Sequence, residues 1–279
     1  PLAAFYPGIS GGPGPTTDPA GAFVDFCGRH SDAIIALVQQ RMVQTNEVRR
    51  SACLLPAFSE VARATSAPLA LIEIGPSAGL NLLFDHYQYS YDGVHFGPGS
   101  SPVVLDSELR GAPLQLPTRM PVVASRMGID LNPLDLRNDD DLRWLQALIW
   151  PEHDDRRSLF AAAASVLRSA PPRLLGGDVF ELLSAEVANA PVGAAVCIFA
   201  TFVLNQFSVP MLERLRAMLL DASKTRDLWM VVMGGSRFLP LASTNHGEAD
   251  LWLLHFSAGT ETQRLLALCN PHGRWITWY

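Results

Sequence analysis

The stretch Leu69-Ala-Leu-Ile-Glu-Ile-Gly-Pro-Ser-Ala-Gly79 decides the fold. Its first six residues are nearly all apolar, the composition of a parallel strand covered on both faces. Gly75 and Gly79, with Ser77 and Ala78 between them, predict a sharp turn into a helix that begins near Gly79. Small residues let such a turn approach a ligand closely, and a helix N-terminus there would offer it free N–H donors.

Upstream, the chain reads as helical. Pro1–Pro19 is rich in Gly, Pro and Thr and predicts no regular structure. Ala20–Val43 carries Phe23, Phe26, Cys27, Ile34, Ile35, Val38 and Met42 at helical spacing, and a second amphipathic helix is expected over about 46–64, kinked at Pro56. Downstream, Tyr87–Phe96 alternates aromatic residues around Asp92-Gly93, a two-residue hairpin signal. Residues 121–129, 173–178, 193–199 and 227–233 read as core strands, with helices over about 140–150, 156–169, 179–185 and 211–222. Residues 251–256, 264–269 and 274–279 supply the last strands, and a Pro271-His-Gly turn makes the final pair antiparallel. Alternating strands and helices imply a parallel sheet with helices on both faces. The division expected is an N-terminal extended segment and helical cap over 1–66, then a Rossmann-like domain over 67–279 with a β-hairpin insertion around 87–120.

The 279 residues suffice for one substantial core, 48% of them are apolar, and the formal net charge is −6. No basic run or aromatic-interleaved basic stripe supports a nucleic-acid partner. The longest apolar run, Val192–Leu204, is too short to span a membrane. No secretory leader is visible and no initiator methionine begins the chain, which reads as a processed or truncated form. Cys27, Cys53, Cys197 and Cys269 lack any metal or redox spacing and are expected to be reduced core residues of a cytoplasmic protein. The seven histidines show no metal-ligand spacing, so no metal site is expected. The Tyr87, Tyr89 and Tyr91 stripe is expected on one face of a half-buried strand, and a hairpin near a site mouth could bring it to a substrate. The sequence does not set the oligomeric state.

Three readings of Glu73–Gly79 stay open on the residues alone. As a cofactor cradle, the turn places an acid, Glu73, at the strand end, where it suits a ligand bearing an ammonium group. As a literal G-x-S-x-G it is a nucleophile elbow, with Ser77 as the serine of a hydrolase and Asp227 or Asp250 with His255 or His272 completing a triad. It is also a plain tight connection. The helical start of the chain and the acid at position 73 favour the cradle. An adenosyl cofactor further needs an acceptor for its ribose hydroxyls at the end of a second strand. Asp130 is the best placed acid, with Asp92 and Glu108 as competitors. Asp178, after Gly177, can meet an adenine amino group, cap the next helix, or do both. Gln44-Thr-Asn-Glu-Val-Arg-Arg50 is a polar knot between apolar helices: Thr45 or Asn46 can cap while Glu47 complements the helix dipole, or Asn46, Glu47 and Arg50 can face a site mouth. His272 is expected as a turn residue.

The turn resembles the first motif of class I methyltransferases, in which an acid precedes a G-x-G-x-G or G-x-S-x-G turn. Leu2-Ala-Ala-Phe-Tyr-Pro7, Gln44–Arg50, Gly75-Pro-Ser-Ala-Gly-Leu-Asn-Leu82, Arg126-Met-Gly-Ile-Asp-Leu-Asn-Pro133, Trp144…Trp150-Pro-Glu and Pro271-His-Gly-Arg-Trp275 together resemble a bacterial family of uncharacterised proteins with a methyltransferase-like Rossmann fold. The resemblance spans nearly the whole chain. It implies an S-adenosylmethionine site in which Glu73, Gly75, Pro76, Ser77, Gly79, Asn81, Asp130 and Asp178 hold the cofactor. Glu73, Gly75, Ser77 and Gly79 would take its amino-acid end, Asp130 its ribose and Asp178 its adenine. Asn46 and Arg50 would lie at the mouth. The resemblance implies the fold and supplies no reaction; on the residues, a methyltransferase acting on a small molecule is expected, with Glu47 as the leading general base where the acceptor must lose a proton. Family members tend to extend further upstream and to carry a His-Ser pair where this chain has Ala200-Thr201, which removes a proton-transfer pair from that position. A serine hydrolase built on Ser77, and a non-catalytic binding protein of the same fold, are the alternatives.

Overall fold

The apolar run forms the central strand, β1 (Leu69–Ile74), buried along its whole length. A computed structural model of the chain describes residues 2–114, 116, 118–234, 238–240 and 247–279. β1 pairs in parallel with β5 (Val123–Asp130) on one side and β7 (Ala195–Thr201) on the other. β6 (Arg173–Gly176) lies beyond β5, and β8 (Leu228–Met233) lies beyond β7, both parallel. In chain order these five strands therefore stand 3-2-1-4-5, the Rossmann arrangement. The order reverses between β1 and β7, and the carboxyl ends of the strands on either side of such a switch point open a crevice.

Period-two alternation sends β1 side chains to two separate cores. Leu69 and Leu71 join the cluster under α4 (Ser51–Thr65), whereas Ala70, Ile72 and Ile74 join the one under α7 (Val179–Asn189) and α8 (Val209–Ala222). Glu73 thus points to the α4 side. Helices cover both faces, as the sequence predicts.

Antiparallel strands continue the sheet from β8: β9 (Ala249–Ser257), β10 (Thr260–Cys269) and β11 (Trp275–Trp278). β11 then pairs in parallel with β4 (Val104–Gly111), β4 with β2 (Gln88–Tyr91), and β2 in antiparallel fashion with β3 (Val94–Phe96). Among the described residues the result is one eleven-stranded mixed sheet, parallel at six of its ten pairings. The α/β class, the mostly parallel sheet and the antiparallel C-terminal pair agree with the sequence reading. Positive φ at both Asp92 and Gly93 gives the expected tight β2–β3 turn. Residues 115 and 117 of the 87–120 segment lie outside the described residues.

Three expectations need correction. Residues 106–111 read as a loop but form most of β4, whose buried face carries Leu105 and Ser107 while Asp106 and Glu108 face solvent. Ala20–Val43 is two helices, α2 (Ala20–Arg29) and α3 (Ser31–Gln40), which follow the single turn α1 (Pro7–Ser10) and break at His30. Neither contributes a buried residue, and Phe23, Ile35, Val38 and Met42 of the predicted apolar face are all exposed. Cys27, on α2, is accordingly only partly covered, whereas the other three cysteines are buried and free.

The tyrosine stripe is wholly buried, which answers the question of its role. Tyr87 and Tyr89 donate their hydroxyls to the carbonyls of Leu80 and Phe84, both at 2.6 Å, in the 3₁₀ segment Leu80–His86. Tyr91 donates to Ala52 O at 2.7 Å. Pro56, four residues on within α4, has no N–H to give that carbonyl, so the tyrosine supplies the missing bond. None of the three reaches a site mouth. Two further helices, α5 (Asp139–Ala147) and α6 (Asp154–Ser169), pack on the α4 side of the sheet.

Candidate functional site

The crevice at the switch point is a cavity of about 480 Å³, within the range of small-molecule sites. It opens at the carboxyl ends of β1, β5, β6 and β7. Gly75 and Ser77 wall it after β1, Asp130 at the end of β5, Gly177 and Asp178 after β6, and Thr201 and Phe202 at the end of β7. Arg50 and the segment 42–45 close it from the N-terminal side.

The glycine turn differs from its expected form. Gly79 adopts a left-handed conformation and leads into the 3₁₀ segment rather than an α-helix. Its amides are already used: Gly75 N donates to Ile129 O at 2.9 Å, Ser77 N to Asp130 Oδ2 at 2.8 Å, and Gly79 N to Pro76 O at 2.8 Å. Ala78 N reaches Asn46 Oδ1 at 3.4 Å. The turn is therefore no phosphate cradle, since the donors that would take phosphate oxygens are internally paired. Gly75 is required by space and conformation alike: φ is +69°, and a Cβ would lie 2.6 Å from Val203 Cγ2. Pro76 packs across Gly128, where a Cβ would come within 2.5 Å of its Cγ.

Ser77 is nearly buried and its hydroxyl is committed. It donates to Gln44 Oε1 and accepts from Asn46 Nδ2 at 2.7 Å, while Gln44 Nε2 reaches Asn132 O at 3.0 Å. The strap 41–47, which has no regular structure, is thereby fastened over the turn. Trp144 Nε1 of α5 donates to Met42 O at 3.1 Å and Arg41 pairs with Asp141, adding two further ties. The triad partners proposed for an elbow lie elsewhere. His255 stacks on Trp229 and pairs with Asp227 at 3.4 Å, and Trp229 stands four residues before the site end of β8, about 13 Å away along the strand. His272 binds Glu47. Among the described residues no histidine is a hydrogen-bond partner of Ser77, so the geometry does not assemble a Ser-His-Asp hydrolase.

The two acids facing the cavity differ from Glu73. Asp130 accepts the amides of Ser77 and of Asn132, the latter at 2.9 Å, and Asp178 caps α7 through Phe180 N at 2.9 Å. A carboxylate oxygen offers two lone pairs, so each retains accepting capacity toward a ligand. Of the competing acids, Glu108 pairs with Arg110 on the solvent face of β4 and Asp92 accepts Leu109 N, both away from the cavity. Glu73 is not on the cavity wall. It lies 2% exposed behind the turn, where Asn81 hydrogen-bonds it, and Oε2 has no partner. Burial pushes its carboxyl up to about 8; Asp130 adds to the rise, against the Asn81 hydrogen bond and the charge of Arg50. Asn81 in turn accepts Ser51 Oγ at 2.9 Å.

Arg50 joins Glu73 to the cavity. Its guanidinium lies 4.3 Å from the centre of the Phe202 ring and donates to Pro271 O at 3.1 Å. Burial lowers it to about 10, against the raising charges of Glu47 and Glu73. Glu47, also buried, caps the short 3₁₀ turn Val48–Arg50 through Arg49 N and meets Arg156 Nε at 2.8 Å and His272 Nδ1 at 3.0 Å. Burial alone would raise its carboxyl, but the His272 hydrogen bond and the Arg156 charge hold it below the ordinary carboxylate value. A carboxylate so committed is a poor proton acceptor, and it lies off the cavity wall. Glu47, rather than Thr45 or Asn46, is thus the cap, and Asn46 is the clasp on Ser77.

The structure therefore brings Arg50, Gly75, Ser77, Asp130 and Asp178 to one cavity. Pro76, Gly79, Asn81 and Glu73 support it from behind, and Asn46 and Glu47 stand on the far side of the strap. Sequence reasoning missed Gln44, Thr201, Phe202 and Gln206 as wall residues. Only Gln44 carried a signal, as the first letter of the polar knot. Phe202 takes φ +62°, a backbone state that its side chain does not announce.

The profile of a family described as "Uncharacterized protein conserved in bacteria" (DUF2332) matches residues 1–278. The chain belongs to that family. Among curated proteins none matches the DUF2332 chain in sequence. Among solved structures, it is similar to an S-adenosylmethionine-bound amino pentose methyltransferase of calicheamicin biosynthesis from Micromonospora echinaspora. The two are 12% identical, with 84% of this chain and 78% of that one covered at a TM-score of 0.29. Among the described residues, no helix is long and apolar enough to cross a membrane.

Proposed function

We propose that the cavity binds S-adenosylmethionine and that the protein transfers a methyl group to a small molecule. One observation carries the reading: two carboxylates, Asp130 and Asp178, stand at the ends of successive strands and face one cavity at a Rossmann switch point, while the amides of the glycine turn are internally paired. That donor set suits an adenosyl ligand recognised through hydroxyl and amino groups and lacking phosphates. Gly75 keeps the turn close against Val203 at the cavity wall, where a Cβ would clash, and Ile74 and Thr201 line the wall beside it.

When bound, the cofactor supplies a sulfonium-borne methyl group to an in-line nucleophile. The chain's own residues would then hold and dry the reacting groups, which is where most of the acceleration of such a displacement arises. Asp130 would accept from the ribose diol and Asp178 from the adenine amino group. Ile129, Leu131, Val179 and Phe180 supply the apolar walls between them. No general base is assigned, because Glu47 is locked by Arg156 and His272. The free buried thiols of Cys53, Cys197 and Cys269 support a reducing, cytoplasmic setting.

Calorimetric titration with S-adenosylmethionine and S-adenosylhomocysteine tests the reading. Binding that is lost in Asp130→Ala and Asp178→Ala is expected. Absence of binding by folded protein at about 1 mM ligand would overturn it, since catalytic sites bind their ligands between about 1 μM and 1 mM. Binding without any turnover across acceptors would instead identify a non-catalytic binder of the same fold.

A further inference from the structure

Behind the strap lies a second cavity of about 340 Å³, lined by Val43–Asn46, the α5–α6 connection, His153, Arg156 and His272. It shares Val43, Gln44 and Thr45 with the first cavity, so one strap separates the two. Leu145 and Ile149, both nearly buried, lie beneath it, and the Trp150 indole is open to solvent at its edge.

Its charge contrasts with that of the chain. Arg156 and Arg50 bear on Glu47, and Arg49 and Arg274 share Asp155 at 3.6 and 2.8 Å. Of these four guanidinium groups Arg156 alone lines the cavity, together with His153 and His272, and no acid is among its described lining residues, in a protein whose formal net charge is −6. Arg156 meets Glu47 through Nε, and among the described residues its guanidinium pairs with no other side chain. With 15% of its side chain exposed, it is held by the fold and lines the cavity. A preorganised guanidinium fork recognises a carboxylate in two parallel hydrogen bonds.

We propose that this second cavity binds a small organic acid, its carboxylate on the Arg156 fork and its apolar body against Leu145, Ile149 and Trp150. This binding does not depend on the cofactor reading above. The Arg156 charge, unopposed by any acid in the described lining, draws the anion, and the Trp150 indole selects an aryl or alkyl acid over inorganic ions.

Ligand-observed NMR on the full chain without cofactor tests it, with benzoate, phenylacetate and indole-3-acetate set against their amides up to about 10 mM. At least one acid should bind about tenfold more tightly than its amide. Arg156→Gln should bring the acid down to the amide's level, and Trp150→Ala, an exposed change that leaves the fold intact, should weaken both forms. No binding by any of the three acids, equal affinity of acid and amide, or affinity unmoved by both substitutions overturns the proposal. If Arg156→Gln does not fold, the acid–amide comparison on the unaltered protein and the Trp150→Ala variant decide alone. Acids that bind to a protein deaf to S-adenosylmethionine would leave this site standing and remove the cofactor reading. The converse result would do the opposite.

Discussion

Replacing Glu73 with glutamine removes one titrating carboxyl while keeping its shape and its hydrogen bond with Asn81. In the folded chain burial pushes that carboxyl up to about 8, from an ordinary value of 4.5. Between those values the folded state binds a proton that the unfolded chain has released, so stability must fall as pH rises. With 1.36 kcal/mol per unit, the loss between about pH 5.5 and about pH 8 is about 3 kcal/mol for the native protein. Glu73→Gln has no proton to lose and escapes that slope. Urea unfolding of both proteins at the two pH values gives the comparison, because every other titrating group cancels in the difference. The variant should gain on the native protein by about 3 kcal/mol across the interval. Parallel behaviour, with the difference changing by less than about 0.5 kcal/mol, would mean that Glu73 is ionised when folded, paired with Arg50, and that the buried acid has been misassigned.

Three further outcomes follow from packing and hydrogen bonding. Gly128→Ala drives a Cβ into Pro76 and should cost about 1–3 kcal/mol by urea unfolding, with a smaller loss when Pro76 is also made alanine; no loss would show that the turn is free to shift. Tyr91→Phe strands the Ala52 carbonyl that Pro56 cannot serve and should cost about 1–3 kcal/mol, whereas the same change paired with Pro56→Ala should be nearly neutral, and equal costs in both backgrounds would refute the pairing. Ser77→Ala releases Gln44 and Asn46, so limited proteolysis should cut the 41–47 strap faster; an unchanged cleavage rate would show that the clasp does not hold it.

The parts of the fold legible in the sequence were those written locally. β1 announces itself by an unbroken apolar run, and the β2–β3 turn by Asp92-Gly93. β4 escaped because Asp106, Ser107 and Glu108 carry loop chemistry. They form a strand only because one face is buried and β11, far along the chain, supplies its backbone partners. The apolar stripe of α2 and α3 has the period of a packed helix, yet period does not say what packs on it, and nothing in the described fold covers Phe23 or Val38. At the site, Gly75-Pro-Ser-Ala-Gly79 spells an elbow and a cradle with the same letters. What separates them is the grip of Gln44 and Asn46 on Ser77, a contact across about thirty residues that no local pattern records. The sequence offers Glu47 as a base candidate, but the Arg156 and His272 that lock it come from α6 and the turn 271–273, far along the chain.

The pairing of β11 with β4 also governs the order in which the chain can be made. Residues 104–111 have only β2 beside them until 275–278 emerge, and β11 follows every other strand of the described sheet. Closing so distant a contact is slow, and until it closes β4 presents an unpaired edge. A nascent chain can form the β1-centred half while synthesis proceeds, but its β2–β4 half must wait for residues 275–278. Those residues bring the Pro271-His-Gly turn with them, and so the lock on Glu47 and Arg50. The His272 wall of the second cavity and the lock on Glu47 and Arg50 are thus completed only once residues 271–278 are in place, and deleting 275–278 should disable a site whose named residues begin at position 44.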